Sequence, residues 1–261
     1  MRSLRTYGTA PFTLAVIHGG PGAPGQVAPV ARELACERGV LEPLQTATSL
    51  EGQLEELRAV LEANADLPIT LVGHSWGAIL GFIFSARHPH FVNKLILVGS
   101  APYEEHYATG IEATRLSRLS EDERGEVRLL LAALGDPAVR DTEHAMARLG
   151  HLFAKTDAYD PLLAHDTEVL QVQGELYQRV WQEATKLRAN GDLLKLGRRI
   201  RCPVVAIHGD YDPHPLQGVR EPLATVLKDF QFVLLKHCGH VPWIERRARD
   251  EFFRVLRNEL R

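Results

Sequence analysis

Residues 71–80 read LVGHSWGAIL, a serine set between two bulky rings with a glycine two positions away on either side. A serine hydroxyl is a poor nucleophile until a base takes its proton, so what matters first is how the chain presents it. A strand that reverses into a helix within about three residues forces its corner residue into a strained, exposed conformation. Glycines flanking that corner remove the clashes a Cβ would create. Gly73, Ser75 and Gly77 have that spacing, with apolar ITLV before them and an apolar helical pattern behind them. The bland alternative is an ordinary strand-to-helix turn. On the functional reading Ser75 is a nucleophile, and the following helix aims its free N–H groups and positive dipole end at chemistry beside it.

Such a serine requires an imidazole as base and a carboxylate to hold the imidazole, following in the chain order Ser, Asp, His. VVAIHGDYDPHP, residues 204–215, places Asp210 and Asp212 after one β-branched run, and FVLLKHCGHVPW, residues 232–243, places His237 and His240 after the next. Asp and His are common in loops at strand ends, which is the competing explanation. Three sites in the right order on the right kinds of element weigh against it. A fourth part is HGGPG, His18 to Gly22, where missing Cβ atoms leave backbone amides free to face a developing oxyanion. A glycine-rich loop after a first strand could instead cradle a dinucleotide phosphate, but Pro21 and Pro24 break that pattern.

Other reactive side chains read more plainly. His106, His144, His151 and His165 lack His-Glu-x-x-His spacing and are expected to be solvated or partly packed, so no metal or cofactor is expected. Cys238 is expected to be a small buried residue rather than a reactive thiol. Tyr177 and Trp181, one turn apart beside an apolar stripe, default to core packing, with a share in lining a pocket as the alternative.

The elements that would position these groups alternate. Apolar runs at 13–22, 69–75, 94–102, 204–210 and 232–240 read as strands buried on both faces, as in a parallel sheet. Between them, Thr48 with Glu51 suggests a capping box, followed by a stripe of Leu50, Leu54, Leu57 and Leu61. Residues 77–88 and 248–260 read as further helices, and no convincing strand is visible between residues 36 and 49. The alternation predicts an α/β fold with a mostly parallel, doubly wound sheet. It stops between 103 and 197, where helical patterns appear at 120–134 (Ser120 and Glu123 as a capping box), 141–154 and 166–189. In the last of these, Val169, Val172, Leu176, Val180, Ala184 and Leu187 form a stripe. Residues 101–197 carry 17 acidic and 11 basic side chains, against a net −3 for the whole chain. The expected organisation is therefore a core of residues 1–102 and 198–261 with a helical cap, or lid, inserted at 103–197.

At 261 residues, 45% hydrophobic and 24% charged, the chain can bury a large single core. A net charge of −3 gives no field to attract nucleic acid or an anionic membrane, and neither partner is expected. Cys36, Cys202 and Cys238, odd in number and widely spaced, suggest reduced thiols in a cytoplasmic setting. The opening MRSLRTYGTAPFTLAVIHGG faintly imitates a signal peptide, but Pro11 interrupts it and no small-residue cleavage site follows.

Taken together, these motifs resemble the α/β-hydrolase superfamily over nearly the whole chain. There the acid commonly sits three residues past the strand-end glycine and before a proline, which implies Asp212 from Gly209, with Pro213 next. The base commonly follows a glycine directly with an acid about five residues later, which implies His240 after Gly239 and before Glu245. Asp210 and His237 become loop neighbours. The resemblance also implies oxyanion donors at the N–H groups of Trp76 and Gly20, with Gly19 close behind. HGGPG with GHSWG is similar to the proline iminopeptidase branch in particular, whose helical cap receives the substrate's free amine. That branch has an Asp-x-Arg-Gly-x-Gly-x-Ser stretch, of which CERGVLEPLQTATS keeps only Arg38-Gly39. The expected activity is serine hydrolysis of a small ester, amide or related acyl bond through an acyl-enzyme, on a small-molecule or short-peptide substrate. An aminopeptidase preferring N-terminal proline is the alternative, with acyl transfer or carbon–carbon bond hydrolysis possible on the same scaffold. A receptor-like protein that binds without sustained turnover is the alternative of another class. Oligomeric state is left open.

Overall fold

A computed structural model describes residues 3–135, 142–162 and 174–261. Seven strands form one sheet in the order β1-β3-β2-β4-β5-β6-β7. They are β1 (Leu4–Tyr7), β2 (Leu14–Ile17), β3 (Val40–Pro43), β4 (Ile69–His74), β5 (Val92–Val98), β6 (Val204–Gly209) and β7 (Phe230–Leu235). All neighbours are parallel except β1, which runs antiparallel along β3 at the edge. Helices α1 (Ala28–Leu34), α2 (Leu50–Asn64) and α3 (Trp76–Arg87) connect the first strands. Between β5 and β6 lie α4 (Glu105–Ala108), α5 (Ile111–Ser117), α6 (Glu121–Gly135), α7 (Thr142–Asp157), α8 (Gly174–Ala189) and α9 (Asp192–Leu196). Finally, α10 (Gln217–Val226) links β6 to β7, and α11 (Arg249–Glu259) closes the chain.

The expected doubly wound sheet is therefore present, and both of its faces are covered. In β2, Ala15 and Ile17 face a core shared with α2 and α3, while Leu14 and Val16 face one shared with α1 and α11. Side chains alternate across a strand, so an unbroken apolar run must bury both faces. Each such Leu or Ile contributes about 1.5–3 kcal/mol by leaving water.

Two strands had no clear sequence signal. In β3 the run VLEP carries Glu42, fully buried, whose carboxylate accepts the Tyr7 hydroxyl at 2.5 Å from the neighbouring β1. Arg5, directly opposite Glu42 in the register, approaches it at 3.9 Å. A cross-strand polar pair replaces apolar alternation here, which is why the expectation of no strand between 36 and 49 is corrected. The cap of α2 also shifts by one residue. Ser49, not Thr48, is extended and accepts the Gly52 N–H at 3.1 Å, and with glycine at that third position no reciprocal carboxylate closes a box. The predicted stripe Leu50, Leu54, Leu57 and Leu61 is buried.

Among the described residues, the stretch between β5 and β6 contains no strand, as its patterning suggested. Ser120 and Glu123 do form a capping box, the Ser120 N–H bonding Glu123 at 3.0 Å and the Glu123 N–H bonding Ser120 at 3.3 Å. Leu176, Val180 and Ala184 of α8 pack into the core beside the sheet. Val169 and Val172 lie outside the described residues.

Candidate active site

Strand order reverses between β2, which is followed by a crossover to β3 on one side, and β4, on its other side. Ligands of open α/β sheets collect outside the carboxyl ends of strands at such a switch point. HGGPG leaves β2 here and Ser75 directly follows β4. Ser75 is held at φ 52°, ψ −111°, a conformation a non-glycine residue adopts only when its surroundings impose it. They do so on both sides. A Cβ on Gly73 would collide with the Gly77 carbonyl, and one on Gly77 would collide with the carbonyls of Ile17 and His18. The Ser75 N–H is tied to the Val98 carbonyl at 2.9 Å. Ser75 Oγ has no hydrogen-bond partner among the described residues, so the hydroxyl can turn toward a base or a substrate.

Beside the elbow, the N–H of Gly19 is taken by Gln26 Oε1 at 3.0 Å, whereas those of Gly20 and Trp76 have no acceptor among the described residues. Gly20 sits at φ +45°. His18 is buried and its proton affinity is pushed down to about 4 by that burial. Gln45 donates its N–H to His18 Nε2 at 3.3 Å, so the ring's own proton resides on Nδ1, which donates to the Gly19 carbonyl at 3.0 Å. The Trp76 indole donates to Gln53 on α2 at 2.8 Å, fixing the first turn of α3.

The acid and the base meet. His240 Nδ1 lies 2.8 Å from Asp212 Oδ2, and the Asp212 side chain is wholly buried. Burial alone would raise the Asp212 carboxyl, but His240, His214 and His208 around it pull it well below the ordinary carboxylate range. Burial likewise opposes charge on His240, yet Asp212 overrides it and lifts its proton affinity above the ordinary 6.5. With Nδ1 engaged, Nε2 is the nitrogen left for proton transfer. His74, next to Ser75, hydrogen-bonds the His240 carbonyl through Nε2 at 3.0 Å, its ring 4.8 Å from the His240 ring. Burial pushes His74 down to about 3, so it serves as a neutral strut between elbow and base loop.

Asp210 and His237 stand apart from this pair. Asp210 accepts the Cys238 N–H at 3.2 Å, and His237, at φ 53°, packs its ring against Tyr159. Cys238 is buried and its thiol is pushed up by burial, which leaves it inert. His106, His144 and His151 are exposed, and His165 lies outside the described residues.

Two features of the site went unassigned in the sequence, and a third, Glu245, was named there only as the acid that follows His240. His214 contacts the second oxygen of Asp212, with Nδ1 to Oδ1 at 2.7 Å. The N···O separations in the Asp212–His214–His240 group are those of hydrogen bonds, shorter than the roughly 3.3 Å between ligand atoms around tetrahedral zinc. Arg115 of α5 grips Asp157 at the end of α7 with two bonds of 2.8 and 2.6 Å, and the Asp157 carbonyl accepts the His240 N–H at 2.8 Å. Glu245, buried, collects three backbone N–H groups at 2.8–2.9 Å, from Tyr159, Asp160 and Gly239. The Asp-x-His spacing carried one readable signal, an Asx turn in which Asp212 Oδ1 accepts the N–H two residues on. Beside the site opens a cavity of about 250 Å³ lined by Pro102, Ile111, Arg115, Phe153, Trp181 and His214, so Trp181 has a share in a pocket. The Tyr177 side chain lies outside what is described.

A serine on a strand-to-helix elbow, with an acid–imidazole pair from the ends of later parallel strands, is the arrangement of an α/β hydrolase. Residues 35–246 match the family described as alpha/beta hydrolase fold, and the chain belongs to that family. The chain is similar to the pimeloyl-[acyl-carrier protein] methyl ester esterase of Chromobacterium violaceum, 28% identical over 210 residues covering 77% of this chain and 73% of that protein. It is also similar to the pyrrolizixenacetamide deacetylase of Xenorhabdus hominickii, 24% identical over 223 residues, 82% of this chain and 76% of that one. Among solved structures, that of VinJ superposes with a TM-score of 0.70 over 98% of this chain and 93% of its own, at 17% identity. No helix among the described residues is long and apolar enough to cross a membrane.

Proposed function

We propose that this hydrolase cleaves a small ester or amide through an acyl-enzyme formed on Ser75. The observation that carries the reading is the buried Asp212–His240 pair, bonded at 2.8 Å and strapped through His74 to the elbow that exposes Ser75. Ser75 Oγ attacks the substrate carbonyl carbon as its proton passes to His240 Nε2. Charge gathers on the carbonyl oxygen, and the unengaged N–H groups of Gly20 and Trp76 receive it; Gly19 is already committed to Gln26. The carbon–leaving-group bond then breaks as His240 returns the proton to the departing alcohol or amine. Water, losing its proton to His240, attacks the acyl-enzyme, and the released Ser75 takes that proton back.

The helices between β5 and β6 act as a cap in this reading. Their Ile111, Phe153 and Trp181 wall a cavity of about 250 Å³ that reaches the site at His214, in keeping with a small substrate. Relatives named as a methyl ester esterase and a deacetylase support ester and amide substrates. The aminopeptidase activity suggested by HGGPG and GHSWG comes second on that ground.

Multiple turnovers of p-nitrophenyl acetate by the wild-type protein, reduced roughly 10⁴–10⁶-fold in Ser75→Ala, are the expected result. Full turnover by a folded Ser75→Ala variant would overturn the proposal. Faster release from proline p-nitroanilide than from the acetate would promote the aminopeptidase. A protein that a fluorophosphonate labels at Ser75 without turning over either substrate would behave as a binding protein.

A further inference from the structure

Two imidazoles, not one, hang from the acid of this site. Asp212 Oδ2 accepts from His240 Nδ1 at 2.8 Å, while Oδ1 accepts from His214 Nδ1 at 2.7 Å and from the His214 backbone N–H at 2.9 Å. The two rings lie 4.7 Å apart at a tilt of 35°. The His214 carbonyl is held in turn by His208 Nε2 at 2.9 Å, and the buried His208 Nδ1 has no partner among the described residues, so the proton of that ring belongs on Nε2. Since the backbone N–H already closes the turn after Asp212, any residue at 214 would complete it, and the ring's bond is an addition. An ionised carboxylate only accepts hydrogen bonds, so both Nδ1 atoms carry protons and neither Nε2 is engaged by the acid. His214 lines the cavity beside the site.

We infer that His214 is a positioning residue that locks the Asp212 carboxylate in register with His240 and withdraws part of the negative charge His240 would otherwise have to itself. The inference deepens the hydrolase reading, because it concerns the base of that reaction. A carboxylate that feeds one Nδ1–H holds that imidazolium more strongly than one that feeds two. The groups facing His240 are Asp212 and His214 from the loop after β6, His74 from β4, Asp157 from α7 and Arg115 from α5. Those facing His214 are Asp212, His240, His74, His208 and Arg115, and its proton affinity is lowered by burial, so it stays neutral beside the charged form of its neighbour.

The test reads the resting protein by nitrogen-resolved NMR titration of its imidazoles, with the His240 signal identified by its loss in His240→Asn. In His214→Phe the His240 midpoint should move up by about half a pH unit or more. In His214→Gln, whose amide can still donate to Oδ1, it should stay near the wild-type value. A midpoint unmoved in His214→Phe, moved down, or moved equally by both substitutions would overturn the inference. Should the phenylalanine variant fail to fold, wild type alone decides: a proton resident on His214 Nδ1 supports the inference, and a bare Nδ1 overturns it. None of these readouts needs turnover. A working Ser75→Ala enzyme would therefore defeat the hydrolase reading and leave this one standing, and the reverse outcome is equally visible.

Discussion

The rim of the sheet where the strands end and the helices between β5 and β6 are built on opposite terms. At the rim, His18, His74, Asp212, His214, His240 and Glu245 are all buried, and each is held by short hydrogen bonds to a named partner. Apart from α8 and α9, which pack into the main core, the helices rely on a small apolar cluster of Leu119, Val127, Leu149 and Leu152 and on surface pairs such as Arg148–Glu126 and Lys155–Glu123. Leu129 there is 74% exposed. Polar groups shut away from water are costly to leave unpaired, so the rim can hold only one arrangement. Exposed ion pairs contribute little and are readily exchanged, so the helices can vary in sequence, and with them the pocket.

Breaking the acid should show the rim at its most intolerant. Asp212→Asn keeps the shape but offers His240 the wrong partner, and turnover of p-nitrophenyl acetate should fall about 10⁴-fold with the fold intact by circular dichroism. Next comes Glu245→Ala, which strands three backbone N–H groups at about 1 kcal/mol or more apiece, and should lower the melting temperature by roughly 6–12 °C. A melting curve superimposable on wild type would erase the contrast. A milder probe is acidity. His240 must be neutral to accept the Ser75 proton, and Asp212 raises its affinity above 6.5, so activity is complete above that raised midpoint and falls tenfold per pH unit below it. A kcat/KM profile flat down to pH 5 would contradict this. At the other extreme, Arg148→Ala removes an exposed pair and should leave both melting temperature and turnover unchanged.

The same contrast governs how much could be read in advance. Chain order pointed to Ser75 and to an acid pair and a histidine pair after later strands, the resemblance singled out Asp212 and His240 within those pairs, and the structure brings these two together at 2.8 Å. The five apolar runs became five parallel strands because burial on both faces writes itself plainly in composition. The short β3 was hidden by Glu42, an acid in a buried strand that makes sense only once Tyr7 and Arg5 are seen beside it. His214 was hidden differently. Its letter stands two places from Asp212, but which oxygen its ring would meet depends on the turn, and no pattern of residue types encodes that. The outline of the pocket was beyond reach, since it depends on how α5, α7 and α8 lean together rather than on where each begins.

Glu245 fastens Tyr159 and Asp160, just past α7, to Gly239, whose neighbour is the base itself. Leu162 and Arg246 stitch the same corner, bonding the carbonyls of Ile244 and Asp160. A corner tied in this way is a fixed point, because opening it would dismantle the loop that carries His240. Any parting of these helices from the sheet would therefore have to begin away from this corner.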